Sequence, residues 1–159
     1  MKAIKNILVT TDFSDHSLAG LEYALGLTAQ FRANITLLYV VEKKKNTGSR
    51  DGIAAASIEM QQFVAENTDE FICLGQVVVE GDPAMEIVRY AGEHSFDMIV
   101  IATHGRTGIR HIVLGSIAEK VIRLSYVPVL TVKPTVICEH ILSEQDVSHD
   151  RHIPSPERK

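Results

Sequence analysis

A parallel, doubly wound α/β sheet of five strands, Rossmann-like in kind, is what the 159 residues predict. Three observations carry that expectation. The runs Ile7–Thr11, Ile35–Val41, Val77–Val79, Met98–Ile101 and Pro128–Val132 are β-rich and lack the alternation of a half-exposed strand, as strands covered on both faces do. Segments of helical length separate the runs, and parallel neighbours need such crossovers. The resulting alternation of strand and helix places helices on both faces of one sheet. The expected strand order is 3-2-1-4-5, with a crevice between strands one and four where the order reverses.

Taken in order, strand one ends at Asp12, and Ser14 caps a helix running to about Arg32. Leu18, Leu21, Leu25 and Ala29 recur on one face of that helix, which reads as core. Strand two leads into Lys43-Lys44-Lys45-Asn46-Thr47-Gly48, a polar loop, and a second helix is expected from about Gly52 to Asn67. Strand three closes at Gly81. Asp82-Pro83 is a helix start, because proline at the first helical position gives up only an N–H that has no partner there. That helix runs to about His94 and returns to strand four. Pro128 suits the start of strand five, which is expected at an edge of the sheet.

The length and a 45% hydrophobic content suit one domain, placed at residues 1–134, followed by a polar tail at 135–159. A net charge of −4 argues against nucleic acid as the main partner, and the lysine run reads as a solvated loop. No apolar segment reaches the ~18–20 residues that span a bilayer. Cys73 and Cys138 stand far apart without metal spacing, and the N-terminus lacks signal-peptide character, so a cytoplasmic protein with reduced thiols and no membrane contact is expected. Cys138, His140, His149 and His152 in the tail match no zinc pattern.

The stretch from Ile101 to Ser116 holds the chemistry. After strand four, Gly105 and Gly108 allow close approach of backbone to a ligand, and Gly115-Ser116 opens a helix whose first N–H groups lack intrahelical partners. Such a helix start favours phosphate. Ser116 and Glu119 have capping-box spacing. Asp12 is expected to face this loop across the crevice.

Asp12, Thr103-His104-Gly105-Arg106-Thr107-Gly108, Gly115-Ser116 and Pro128-Val129-Leu130, in that order, resemble the universal stress protein family over roughly residues 3–134. Its ATP-binding members carry glycine, two residues, glycine, nine residues, then glycine with serine or threonine. Gly105 and Gly115-Ser116 satisfy the second and third elements, while Ala102 stands where the first glycine would be. The resemblance implies an adenine nucleotide alpha hydrolase-like fold and ATP, with or without magnesium. It implies that Gly105, Gly115 and Ser116 hold the phosphates, that Asp12 contacts ribose or adenine, and that Val40 lies by the adenine ring. Gly108 is extra to the pattern, and Arg106 or Arg110 either adds charge at the phosphates or stands solvated. Ala102→Gly is expected to tighten ATP binding about tenfold, and Gly115→Val to abolish binding with the fold intact.

The expected role is a nucleotide-responsive stress-response module. The alternatives are a slow ATPase, an autophosphorylating enzyme, or a family member that works without ATP. Neither a Walker lysine nor paired metal-binding carboxylates is present, so any phosphoryl transfer is expected to be slow. A phosphoacceptor receiver domain using Asp12 and Lys133 lacks its further aspartates, and no GxGxxG follows strand one for a dehydrogenase. A homodimer through Val129, Leu130, Thr131 and Val132 is expected, since an apolar edge invites pairing. The resemblance adds that two such strands pair antiparallel across a two-fold axis.

Overall fold

The computed structural model describes residues 3–42, 49–69, 74–103 and 114–133. Its central strand is β1 (Asn6–Thr10), which pairs in parallel with β2 (Asn34–Glu42) on one side and β4 (Met98–Ala102) on the other. β3 (Leu74–Gly81) lies outside β2, and β5 (Val129–Val132) outside β4, giving the order β3-β2-β1-β4-β5. The predicted fold is therefore the observed one. The strands of the central trio lie between two apolar layers, which is why their sequences do not alternate.

Side chains sort strictly by face. Ile7, Val9, Ile35, Leu37 and Val100 pack with Leu21 and Ala24 of α1 (Asp15–Phe31) and Met60 of α2 (Ser49–Asn67). Leu8, Leu38, Val40, Ile99 and Ile101 pack with Ala84, Ile87 and Ala91 of α3 (Pro83–Glu93) and Ala118 and Val121 of α4 (Ser116–Leu124). The two-residue period of the strands produces this division.

Local chemistry sets most helix starts where expected. Ser14 caps α1, its hydroxyl accepting from Ser17 N–H at 3.3 Å. Asp82 caps α3, accepting from Met85 N–H at 3.0 Å, with Pro83 in the first turn. The buried face of α1 differs from the leucine stripe. It is formed by Ser17, Gly20, Leu21 and Ala24, with Leu18 and Leu25 on its shoulders and Ala29 exposed. Small residues win the sheet-facing position because α1 lies close to β4: a Cβ on Gly20 would stand 3.7 Å from Ala102 N. α2 begins at Ser49 rather than Gly52, and β3 begins at Leu74, ahead of its valine run. Thr11 falls just past β1, and Pro128 just before β5.

The capping-box expectation for Ser116 and Glu119 is corrected. Gly115 is the N-cap, with φ −68° and ψ 152° and no side-chain bond, and Ser116 is the first helical residue. Gly115 N–H donates to Thr103 O at 2.6 Å, and Glu119 N–H to Gly115 O at 2.9 Å. The chain turns so tightly against the end of β4 that a Cβ at Gly115 would stand 3.1 Å from Thr103 O. Close approach selects the glycine here, and a side-chain cap has no room.

Candidate functional site

Beyond the carboxyl ends of β1 and β4 lies a cavity of about 620 Å³. Its lining includes Asp12, Val40, Ala102, Thr103, Gly115 and Ser116. Five of the residues singled out in the sequence are thus gathered in one place from four segments of chain: Asp12, Val40, Ala102, Gly115 and Ser116. Gly105, Arg106 and Gly108 lie outside the described residues, as do Arg110, His104 and His111. Strand-order reversal opens this crevice, because β1 sends its crossover to one side and β4 to the other.

The three walls differ in chemistry. The first is the β1–α1 loop, where Asp12 Oδ1 accepts from Ser14 N–H at 3.2 Å and from the Ser14 hydroxyl. Thr11 Oγ1 accepts from Phe13 N–H at 2.9 Å and lies 2.9 Å from Ser17 Oγ. Because Ser17 Oγ donates its one proton to Ser14 O at 2.8 Å, Thr11 must be the donor to Ser17. This loop is thereby cross-tied to the first turn of α1. Phe13 adopts φ 62°, a left-handed conformation that costs a bulky residue about 1–2 kcal/mol. Its ring sits 4.4 Å from Tyr39 and 5.6 Å from Phe63, centroid to centroid, and this packing offsets the strain.

The second wall is the end of β2. Thr11 N–H donates to Leu38 O at 3.0 Å, so Leu38 directs its backbone groups toward β1. By the strand period Val40 directs its N–H and C=O the same way, but the β1–β2 register stops at Thr10↔Leu38. The Val40 peptide groups therefore point past the end of β1 into the crevice, a donor and an acceptor side by side. The Val40 side chain faces α3, beside Pro83 and Ile87.

The third wall is the start of α4. The N–H groups of Ser116, Ile117 and Ala118 precede the first intrahelical donor, Glu119, and carry the positive end of the helix dipole. Ala102 closes the floor. It is 9% exposed and has no positive φ, so its backbone needs no glycine. Val100 and Ile101 pack on the α1 and α4 faces respectively, which puts the Ala102 methyl on the α1 face, across the sheet from the α4 start. Sequence reasoning missed Thr11, Phe13 and Ser17. The only available signal was a run of hydroxyl residues and one aromatic around Asp12.

A parallel α/β domain with a ligand-sized crevice at its switch point defines the class, and comparison with known proteins defines the family. Residues 3–133 match the model of the universal stress protein family, and the chain belongs to it. Universal stress protein MJ0531 of Methanocaldococcus jannaschii is 34% identical over 139 residues, spanning 81% of this chain and 82% of that protein. The structure of universal stress protein UspA from Lactobacillus plantarum superposes with a TM-score of 0.68 at 27% identity, covering 83% of this chain and 99% of that one. The universal stress protein from Archaeoglobus fulgidus, solved in complex with dAMP, shares the fold with a TM-score of 0.63 at 22% identity, over 82% and 98% of the two chains. Among the described residues, no helix is long and apolar enough to cross a membrane.

Proposed function

We propose that this chain binds ATP in the crevice and acts as a nucleotide-responsive stress-response module. The observation that carries the reading is the polarity of the crevice from one end to the other. A carboxylate and a paired backbone donor and acceptor stand at Asp12 and Val40, and N–H groups without an intrahelical partner stand at Ser116, Ile117 and Ala118. Phosphates are repelled by Asp12 and attracted by the α4 start, so only one orientation of a nucleotide is favourable. In it the Val40 N–H and C=O read the adenine edge, Asp12 accepts from ribose hydroxyls or the adenine amine, and Ser116 contacts phosphate. The volume lies within the ~300–1,000 Å³ of small-molecule sites. The dAMP complex of the fold relative supports an adenine nucleotide as the ligand class, and magnesium would travel with the phosphates. Gly105, Arg106 and Gly108 complete the phosphate end in this reading.

The same reading makes the protein a homodimer through β5. Pro128 O accepts from Ile99 N–H and Val132 O from Thr103 N–H, so even-numbered residues face β4 and the backbone groups of Val129 and Thr131 point outward. Ile122, Leu124 and the fully exposed Tyr126 add apolar surface just ahead of that edge.

Calorimetric titration with ATP and magnesium tests the proposal, together with mass spectrometry of small molecules released from freshly purified protein. Saturable heat, weakened in Gly115→Ala, is the expected result. Alanine already sets a Cβ 3.1 Å from Thr103 O, and the branched side chain of valine would displace the α4 start further, so alanine is the milder variant. No heat from the wild type or from Ala102→Gly would place the chain with family members that work without ATP. Turnover to ADP during the titration would instead favour the slow-enzyme alternative.

A further inference from the structure

Three non-glycine residues among those described have positive φ: Phe13, Arg32 and Ser95. Arg32 ends α1 and Ser95 follows the end of α3, where a left-handed residue is a usual terminator. Phe13 has no such explanation. It precedes a helix and directly follows Asp12, which lines the crevice, while its own ring packs into the α1/α2-side core.

We propose that Phe13 is the positioning residue for Asp12, an inference that rests on the adenine-nucleotide reading above. The left-handed turn at Phe13 reverses the chain so that Ser14 N–H and the Ser14 hydroxyl both reach back to Asp12 Oδ1. The ring, anchored on the opposite side between Tyr39 of β2 and Phe63 of α2, keeps the turn from relaxing to an ordinary negative φ. Thr11 Oγ1 secures the Phe13 N–H from the strand side. Asp12 is therefore held at a fixed angle to the crevice before any ligand arrives. The carboxylate meets its ligand pre-oriented, which reduces the ordering cost of binding. The aromatic anchor supplies the orientation from the far side of the sheet without touching the nucleotide.

The test compares ATP with 2′,3′-dideoxy-ATP, which lacks the hydroxyls a ribose-facing carboxylate would bind. Wild type should prefer ATP. Phe13→Ala should weaken ATP about tenfold, equivalent to ~1.4 kcal/mol, and leave the dideoxy nucleotide within about twofold. Phe13→Tyr should retain the preference, and Phe13→Gly, which adopts the turn without strain, should fall between. Combining Phe13→Ala with Asp12→Ala should add nothing to Asp12→Ala alone. Equal weakening of both nucleotides would reduce Phe13 to a packing residue and overturn the inference, as would full additivity. Phe13→Tyr and Phe13→Gly keep the test decisive if the alanine variant does not fold. Binding of neither nucleotide by the wild type would remove the nucleotide reading. Amide exchange at Ser14 in the ligand-free protein then decides the positioning claim: faster exchange in Phe13→Gly with wild-type protection in Phe13→Tyr supports it, and unchanged exchange in both overturns it.

Discussion

Ala102 and Gly115 show how two neighbouring positions in one crevice obey different rules. Gly115 has an ordinary φ, and only the 3.1 Å approach to Thr103 O demands the absence of a side chain. Ala102 has neither constraint: its φ is negative and its methyl lies on the α1 face, with Gly20 opposite. This placement argues for a smaller gain from Ala102→Gly than the tenfold expected from the sequence. Titration should give an ATP affinity within about threefold of wild type, equivalent to ~0.7 kcal/mol. Chemical denaturation should show a loss of stability of about 0.5–1 kcal/mol, the usual cost of glycine in a strand. The identity of both residues was legible from spacing, but their faces were not, because facing depends on the register of β4 with β1.

At the scale of elements, punctuation residues did the most to make the fold readable. Asp82-Pro83 and Ser14 mark helix starts through bonds that any chain would form locally, so they survive into the structure. The α1 stripe did not, because which residues face the sheet was decided by how closely α1 lies over β4. The Phe13 turn was illegible for a similar reason, since its anchors Tyr39 and Phe63 belong to distant segments. The edge at β5 yields a prediction of its own. Thr131→Pro removes an outward N–H while leaving the β4 ladder in place, since Thr131 directs its backbone away from β4. Light scattering should report a dimer for wild type and a particle near 17.6 kDa for the variant. A wild-type monomer at micromolar concentration would sink the dimer reading.

For the whole molecule, the family match ends at residue 133, close to the boundary at 134 drawn from composition. The tail from Thr135 onward lies outside the described residues, and we expect it to be dispensable for folding and binding. Truncation after Thr135 should leave the melting temperature within about 2 °C, less than the ~2–4 °C that 1 kcal/mol produces at this size. A drop of several degrees would favour the rival arrangement, an arm anchored on a partner subunit by Ile141 and Leu142.

The central place of β1 has a consequence for the order in which the molecule comes into being. β1 meets β2 at Asn6↔Asn34, a separation of 28 residues, but meets β4 only at Ile7↔Met98, a separation of 91. On the ribosome the first three strands and two helices emerge as a half-sheet, and the far side of β1 stays bare until β4 follows. Closing so long a loop is slow, and an unpaired apolar edge is a site for wrong pairing in the interval. The crevice is thus completed only once β4 and the start of α4 have followed, and a ligand that fits it favours only chains that have closed the sheet around β1.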